Sequence, residues 1–536
     1  MTNKQNGAYY TPNYLAEFIL NYISKDFTNI KHLSILEPSV GDGSFVNAFN
    51  STTFSRRVRS FSFTGIEKVK SELKKTINLA LSQRKKNTKY SFIRTDFLNF
   101  QKKVRKRFFL IVGNPPYIKK NLLTKTQINI SEEIFRQANI SNIKVRNIWP
   151  SFLIKCSELL NDEGILAFVL PSELLQVNFA DKIRNYLQEN FERIEIFTFN
   201  NLLFECKGQD TIILFAFKVH LNPGLYYTNI KDTKQLINES FVLRQNQTIV
   251  ETNTKWTHHS LNHDELTLIY NIGNRLKVIE NFCNSKPGIV TAANHFFIVD
   301  KDIEKEYGLS KYCKPIIQKS ILVNGSVVFT KEDFEKLIRD GLPTKLLLLS
   351  DSHIDSFSNK VSDYLKIGIN QKIQERYKCI KRNYWYSIPN IPLISEGFIF
   401  KRSHLYPKLL KNEARVLTTD SAYSIYMKEN YKMESLIYSF YNSLTLLYAE
   451  ILGRYYGGGV LELTPNEFKH LPIPYVNISE VNFEGFAKDF KMKHSIEEIL
   501  QKNDLVILGE NLGLSLEEIR KINIIYEKLK NKRLRK

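Results

Sequence analysis

Seven short apolar runs punctuate the first 220 residues: HLSILEP (32–38), FSFTGIE (61–67), YSFIRTD (90–96), FFLIVGN (108–114), GILAFVLP (164–171), IEIFTFN (194–200) and TIILFAFKV (211–219). Helix-like stretches lie between them, such as PSFLIKCSELLND (150–162), whose Phe152, Leu153, Leu159 and Leu160 fall at helical spacings. Runs that are apolar throughout, without polar alternation, belong to strands covered on both faces. Strands of that kind alternating with helices predict an α/β fold with a mainly parallel sheet and helices on both faces. The last two runs have only a short connection and predict an antiparallel hairpin at one edge.

The chain has 536 residues, which at about 100–200 residues per domain suggests two to four domains. Beyond about residue 250 the text changes, becoming rich in Tyr, Asn, Lys and Ile, so residues 1–250 and 251–536 are taken as two domains, the second of α+β type. In the second, aromatic and basic residues interleave in RYKCIKRNYWYSIP (376–389), and KRSHLYPK (401–408) is similar in kind. A glycine triplet sits in GRYYGGGVLELTPNEFKHLPIP (453–474), and the last stretch, SLEEIRKINIIYEKLKNKRLRK, reads as an amphipathic helix with a basic end. The formal charge is +21, from 76 basic and 55 acidic residues. Such an excess points to a polyanionic partner, with nucleic acid ahead of an acidic membrane surface, and makes 376–389 and 401–408 candidates for groove and backbone contact. No uncharged apolar run reaches about 18 residues, which weakens the membrane reading.

The start, MTNKQNGAYYTPNYLAEF, lacks the basic-then-apolar order of a secretory signal. Cys156, Cys206, Cys283, Cys313 and Cys379 are scattered without a C-x-x-C pair, so neither a metal site nor a disulfide framework is expected, and a reducing cytoplasm is.

Chemistry concentrates where the strands end, which in open α/β sheets is where ligands bind. The first run leads into Glu37-Pro38-Ser39-Val40-Gly41-Asp42-Gly43. Its glycines permit a tight turn, but two acids flank the loop, which disfavours a pyrophosphate and favours a cationic or hydroxyl-bearing ligand. The second ends in Glu67, 24 residues after Gly43, an offset at which a carboxylate accepts from ribose hydroxyls. The third ends in Asp96-Phe97, suited to an exocyclic amine and an adenine face, and the fourth in Asn114-Pro115-Pro116-Tyr117. Singly, each acid could be a helix cap or a solvated strand end. Four consecutive strands ending this way describe a pocket for a nucleoside with a positive appendage and no phosphates, and S-adenosylmethionine fits that description.

The pieces GAYYTPNYLAEFIL, ILEPSVGDGSF, GIE, TDF, GNPPY and GILAFVLP, in that order, resemble the gamma class of DNA adenine-N6 methyltransferases from restriction–modification systems. The resemblance covers residues 1–220 well and the second half in patches, including the glycine-triplet segment. It implies a Rossmann-like S-adenosylmethionine-dependent methyltransferase domain followed by a target-recognition domain that binds double-stranded DNA, with a separately encoded restriction endonuclease as the expected partner. It also implies a cofactor pocket of Thr11, Pro12, Glu37, Pro38, Gly41, Gly43, Glu67, Asp96, Phe97 and Pro116, with Glu67 on the ribose and Asp96 on the adenine amine. Asp42 stands where the family loop varies and is given no role.

The amine of adenine is a poor nucleophile because its lone pair is delocalised into the ring. Two acceptors aimed at its hydrogens, the Asn114 side-chain oxygen and the Pro115 carbonyl, would draw it toward tetrahedral geometry, with the prolines holding the carbonyl rigid. Tyr117 would stack on the base, which must be swung out of the duplex, and by the resemblance Phe204 would cover the opposite face. Three readings stay open beside this one: a fused restriction nuclease, for which ten residues before Thr11 leave little room; methylation of RNA or of a protein glutamine, where Asn-Pro-Pro-Tyr also occurs; and a non-catalytic DNA-specificity module.

Overall fold

In a computed structural model the chain forms two compact units, residues 1–263 and 264–536, a later division than the change of composition suggests. The structure describes residues 10–27, 30–52, 58–101, 106–140, 143–200, 210–245, 255–256, 260–323, 325–456 and 458–535.

The first unit runs α1 (Asn13–Ser24), β1 (Ile30–Glu37), α2 (Ser44–Ser51), β2 (Val58–Glu67), α3 (Lys70–Ser82), β3 (Thr88–Arg94), β4 (Phe108–Gly113), α4 (Lys125–Gln137), α5 (Trp149–Leu159), β5 (Leu160–Pro171), α6 (Glu173–Gln176), α7 (Asp181–Asn190), β6 (Arg193–Phe199), β7 (Thr211–Phe217), β8 (Gly224–Ile230), α8 (Thr233–Ile237) and β9 (Arg244–Gln245). The strands form one sheet in the order β3-β2-β1-β4-β5-β7-β6-β8-β9. From β3 to β5 all pairs are parallel, and β7 lies antiparallel to both β5 and β6. Side chains alternate between two cores, as a pleated strand requires. Leu33, Ile35, Leu110 and Val112 join helix residues such as Phe45 and Phe49 on one face. Leu36, Ile111, Leu166 and Phe168 join Trp149, Phe152 and Leu187 on the other.

Two expectations change. The β6–β7 pair is antiparallel, but it is not an edge hairpin: β7 is inserted between β5 and β6, and β8 and β9 continue the sheet beyond it. Every residue of β7 is buried, because its side chains alternate between the cores on the two faces of the sheet. The helix read over 150–162 ends at Leu159, and β5 begins at Leu160. The register of β5 against β4 shifts between Phe108 and Leu110, so the polar Asn161–Glu163 stretch is taken up as a bulge.

The second unit contains a five-stranded sheet (283–287, 422–427, 397–400, 409–412, 328–329), a four-stranded sheet (298–299, 345–347, 313–317, 417–418) and a three-stranded sheet (402–403, 460–462, 454–456), with helices over 433–440, 443–452, 480–491, 496–504 and 516–534. The terminal helix starts on a reciprocal cap between Ser515 and Glu518. Near its end Arg533, 4% exposed, pairs with buried Glu450. The same guanidinium donates to the carbonyls of His404, Leu405 and Gly459. One side chain thus joins the terminal helix, the 401–408 segment and the glycine-triplet hairpin. Removing one partner of a buried ion pair strands the other charge, at a cost of about 3–5 kcal/mol. Glu450→Gln is therefore expected to lower the unfolding free energy by that amount, read as a lower urea midpoint at unchanged m; an unchanged midpoint would show that the guanidinium's carbonyl contacts suffice.

Candidate active site

The register of the parallel strands sets their carboxyl ends level: Glu37 pairs with Gly65, Glu67 with Arg94, and Leu36 with Ile111. The loops that follow therefore open on one edge of the sheet. Glu37 is 2% exposed, and its Oε2 has no hydrogen-bond partner. Burial, then the nearby Asp42 and Glu67, hold its carboxyl well above the ordinary range. A buried acceptor left without a donor costs free energy, and a cation or N–H donor brought against it would recover that cost.

The glycine loop adopts left-handed backbone at Gly41 (φ +51°) and Gly43 (φ +92°), where L side chains are strained. A Cβ on Gly43 would also lie 3.0 Å from Leu79 and 3.3 Å from Thr76 Oγ1. Thr76 Oγ1 donates to the Gly41 carbonyl at 3.0 Å. Glu67 accepts from Gly41 N–H at 3.1 Å and Val69 N–H at 2.8 Å, two of the roughly four lone-pair sites of a carboxylate. Asp42 accepts from the N–H and hydroxyl of Ser44, the first residue of α2, at 3.2 and 2.7 Å. Thr11 is buried, the Pro12 carbonyl begins α1 by accepting from Leu15 N–H at 3.0 Å, and a Cβ on Gly113 would meet the Pro38 ring at 3.3 Å.

At the end of β3, Asp96 Oδ1 accepts from Leu98 N–H at 3.1 Å. Its Oδ2 accepts from Gln127 Nε2 at 3.0 Å and lies 3.4 Å from Lys68 Nζ. Phe97 is 2% exposed and packs on Phe152 with ring centroids 4.9 Å apart. Lys155, itself buried, donates from Nζ to the carbonyls of Phe97 and Leu98 at 3.1 and 2.9 Å. Gln127, Phe152 and Lys155 escaped the sequence reading. They sit on helices α4 and α5, 31 to 58 residues from the groups they hold, and only Phe152 stood out there, as one of an apolar series.

The Asn114–Tyr117 loop is anchored twice. Ser39 Oγ donates to the Asn114 carbonyl at 3.2 Å, tying the end of β4 to the loop after β1. The Tyr117 hydroxyl lies 2.8 Å from Asn114 Oδ1 and 3.1 Å from the Val169 carbonyl, two acceptors for its one hydrogen. Pro115 is buried and Pro116 half-buried. Tyr117 is 7% exposed and belongs to a core cluster, so its hydroxyl contact with Asn114 is the visible feature and its stacking role rests on the resemblance alone. Phe204 lies outside the described residues.

In the second unit the basic–aromatic segment 376–389 divides between interior and surface. Arg376 donates to the Ala292 carbonyl at 2.8 Å, and Arg382 to those of Thr291 and Trp385 at 2.8 and 3.0 Å. Tyr386 is buried, whereas Tyr377 is 69% exposed beside the outward Lys378 and Lys381. Half of the alternation is thus packing. Among the described residues no group of three His, Cys, Asp or Glu could hold a metal ion, and no helix is long and apolar enough to cross a membrane.

With this geometry in view, the likenesses to other proteins are informative. The chain is 23% identical over 495 residues to the Type II methyltransferase M.AccI of Acinetobacter calcoaceticus, covering 87% of this chain and 84% of that one. It is 27% identical over 306 residues to the Type II restriction enzyme and methyltransferase RM.Eco57I of Escherichia coli, covering 54% of this chain but 28% of that longer one. In fold it is similar to the Type IIL restriction–modification enzyme MmeI, solved in complex with DNA: TM-score 0.58, 11% identity, 96% of this chain and 75% of that one. Residues 253–508 match the C-terminal domain of Type II methyltransferase M.Eco57I. Residues 1–285, more than half of the chain, match the N-6 DNA Methylase family, and the protein belongs to that family.

Proposed function

We propose that the chain transfers a methyl group from S-adenosylmethionine to the N6 amine of an adenine swung out of duplex DNA, as the modification activity of a restriction–modification system. The observation that carries this reading is the doubly anchored Asn114 on the same sheet edge as the buried Glu37, whose Oε2 has no hydrogen-bond partner.

The donor set suits that cofactor. Glu37 offers an orphaned acceptor to a positive group, Gly41 and Gly43 keep the loop bare, Glu67 retains lone pairs for ribose hydroxyls, and Asp96 with Phe97 and Phe152 suits an adenine. When bound, the cofactor supplies a methyl group activated on a sulfonium. The chain's part is orientation. The Asn114 side-chain oxygen and the Pro115 carbonyl accept the two amine hydrogens, so the nitrogen lone pair is freed from the ring. The Tyr117 hydroxyl and Ser39 fix both ends of Asn114, and acceptors held in advance need no reorganisation during reaction. Tyr117, with Phe204, would cover the everted base, at about 1–3 kcal/mol per stacked face. The second unit would read the target sequence, with the overall basic excess supplying affinity for the DNA backbone.

Tritiated cofactor offered in parallel with DNA, RNA and protein tests the substrate class: label in DNA alone is expected, and label in RNA or protein alone overturns the reading. Asn114→Ala is expected to lower methyl transfer by about a thousandfold with cofactor affinity retained; unimpaired turnover would remove its role. Tyr117→Phe keeps the ring and loses only the hydroxyl, and should lower kcat by about tenfold or more; a wild-type kcat would separate the hydroxyl from catalysis.

Glu37 adds a pH dependence. Its carboxyl is raised in the folded protein above its unfolded value of about 4.3. Without cofactor, stability therefore falls as pH rises from that value through the folded pKa. A cation brought beside Glu37 restores the ionised form, so cofactor uptake within that window should release a proton. Calorimetry in buffers of different ionisation enthalpy should detect this release in wild type and not in Glu37→Gln; equal release in both would exclude Glu37 as the group responsible.

A further inference from the structure

We propose that a cleft beside the Asn114–Tyr117 loop holds a nucleotide of the DNA strand adjoining the one that reacts, its phosphate on Lys119, Lys120 and Arg146 and its base against Phe179. The inference rests on the DNA-methylating reading and goes beyond it by assigning a second subsite to residues that the cofactor and the target amine do not use.

The cleft has a volume of about 560 Å³ and lies wholly within the first unit, in the size range of small-ligand sites. Lys119, Lys120 and Arg146 line it with Ile128, Phe179 and Glu173. Three cations face one carboxylate, and none of the three makes an ion pair among the described residues. Surface cations left in this state favour an anion from outside the chain. They also sit on paired backbone. Lys119 bridges Asn147 in antiparallel fashion, Lys120 N–H donates to the Arg146 carbonyl at 2.9 Å, and Ile148 N–H donates to the Ile118 carbonyl at 3.0 Å. This short ladder gathers charges from two distant stretches of sequence onto one fixed strip.

The apolar part of the lining decides the class of anion. Phe179, half-buried, packs its ring on Trp149 at 6.4 Å between centroids and stands with Ile128 among the cationic groups. An aromatic ring beside cations suits a base joined to a phosphate, because every base has a face to stack; a bare phosphate or an acidic peptide would use the cations alone. Lys119 follows Tyr117 by two residues, about 7 Å of chain, so whatever the strip holds adjoins the reacting nucleotide.

The test uses the full chain and plasmid DNA free of adenine methylation, with labelled cofactor. Lys119→Gln combined with Arg146→Gln should raise the KM for DNA by about tenfold and reduce the slope of log affinity against log salt by about 0.9, the share of one phosphate. Its kcat at saturating DNA and its affinity for the cofactor should stay at wild-type values. Phe179→Ala should raise the KM for DNA by about tenfold or more without changing that slope, a split that loss of folding would not produce. A double variant with wild-type KM and slope overturns the proposal while leaving the methylation reading intact. Loss of the salt slope with no effect of Phe179→Ala also overturns it, in favour of a site for phosphate alone. A wild-type protein that neither binds nor labels DNA refutes the underlying function.

Discussion

The reading of this protein depends on how Asn114 is held. Its carbonyl is fixed by Ser39 from the loop after β1, and its side-chain oxygen by the Tyr117 hydroxyl, which also reaches the end of β5 through Val169. Three neighbouring strands of one parallel sheet thus converge on a single residue. The level register of β1, β2 and β4 makes this possible, because it brings loops far apart in sequence to one edge. Acceptors aimed at an amine need such rigidity: an amide free to rotate would spend the energy of the contact on its own ordering.

The electrostatics of the chain are divided to match. Overall it carries a formal charge of +21, yet the sheet edge is acidic: Asp42 and Glu67 act on Glu37, and Asp96 stands at the end of the neighbouring β3. Burial, then Asp42 and Glu67, raise the cost of ionising Glu37. An acidic crevice in a basic protein suits a positively charged small molecule and a polyanionic macromolecule on separate surfaces. The buried Arg533–Glu450 pair belongs to neither: it spends its charge on joining the terminal helix to two loops of the second unit.

Much of the first unit was legible because apolar runs mark buried strands and because acids end three of them and Asn-Pro-Pro-Tyr the fourth. The order of the last strands was misread for a physical reason. Closeness in sequence suggested an edge hairpin, whereas β7 lies between β5 and β6; an unbroken apolar run such as TIILFAF reports that both faces are covered, not which strands lie beside it. The α5–β5 boundary was blurred by a polar bulge that resembles a helix end. Lys155 and Gln127 were not legible at all, since a lysine or glutamine on a helix looks solvated until the carbonyl or carboxylate it serves is brought to it by the fold. In the second unit, arginines among aromatics suggested a DNA-facing stripe, but Arg376 and Arg382 turn to backbone carbonyls. Composition cannot separate a guanidinium that meets a phosphate from one that meets its own chain.

The central claim, methyl transfer to the N6 amine of adenine in DNA, is tested most directly by sequencing, with modified-base detection, the DNA of cells that express the protein in an otherwise unmodified background. The account predicts N6-methyladenine at one recurrent sequence, and only when the protein is expressed. Methylation of another base, or none in DNA, would contradict it.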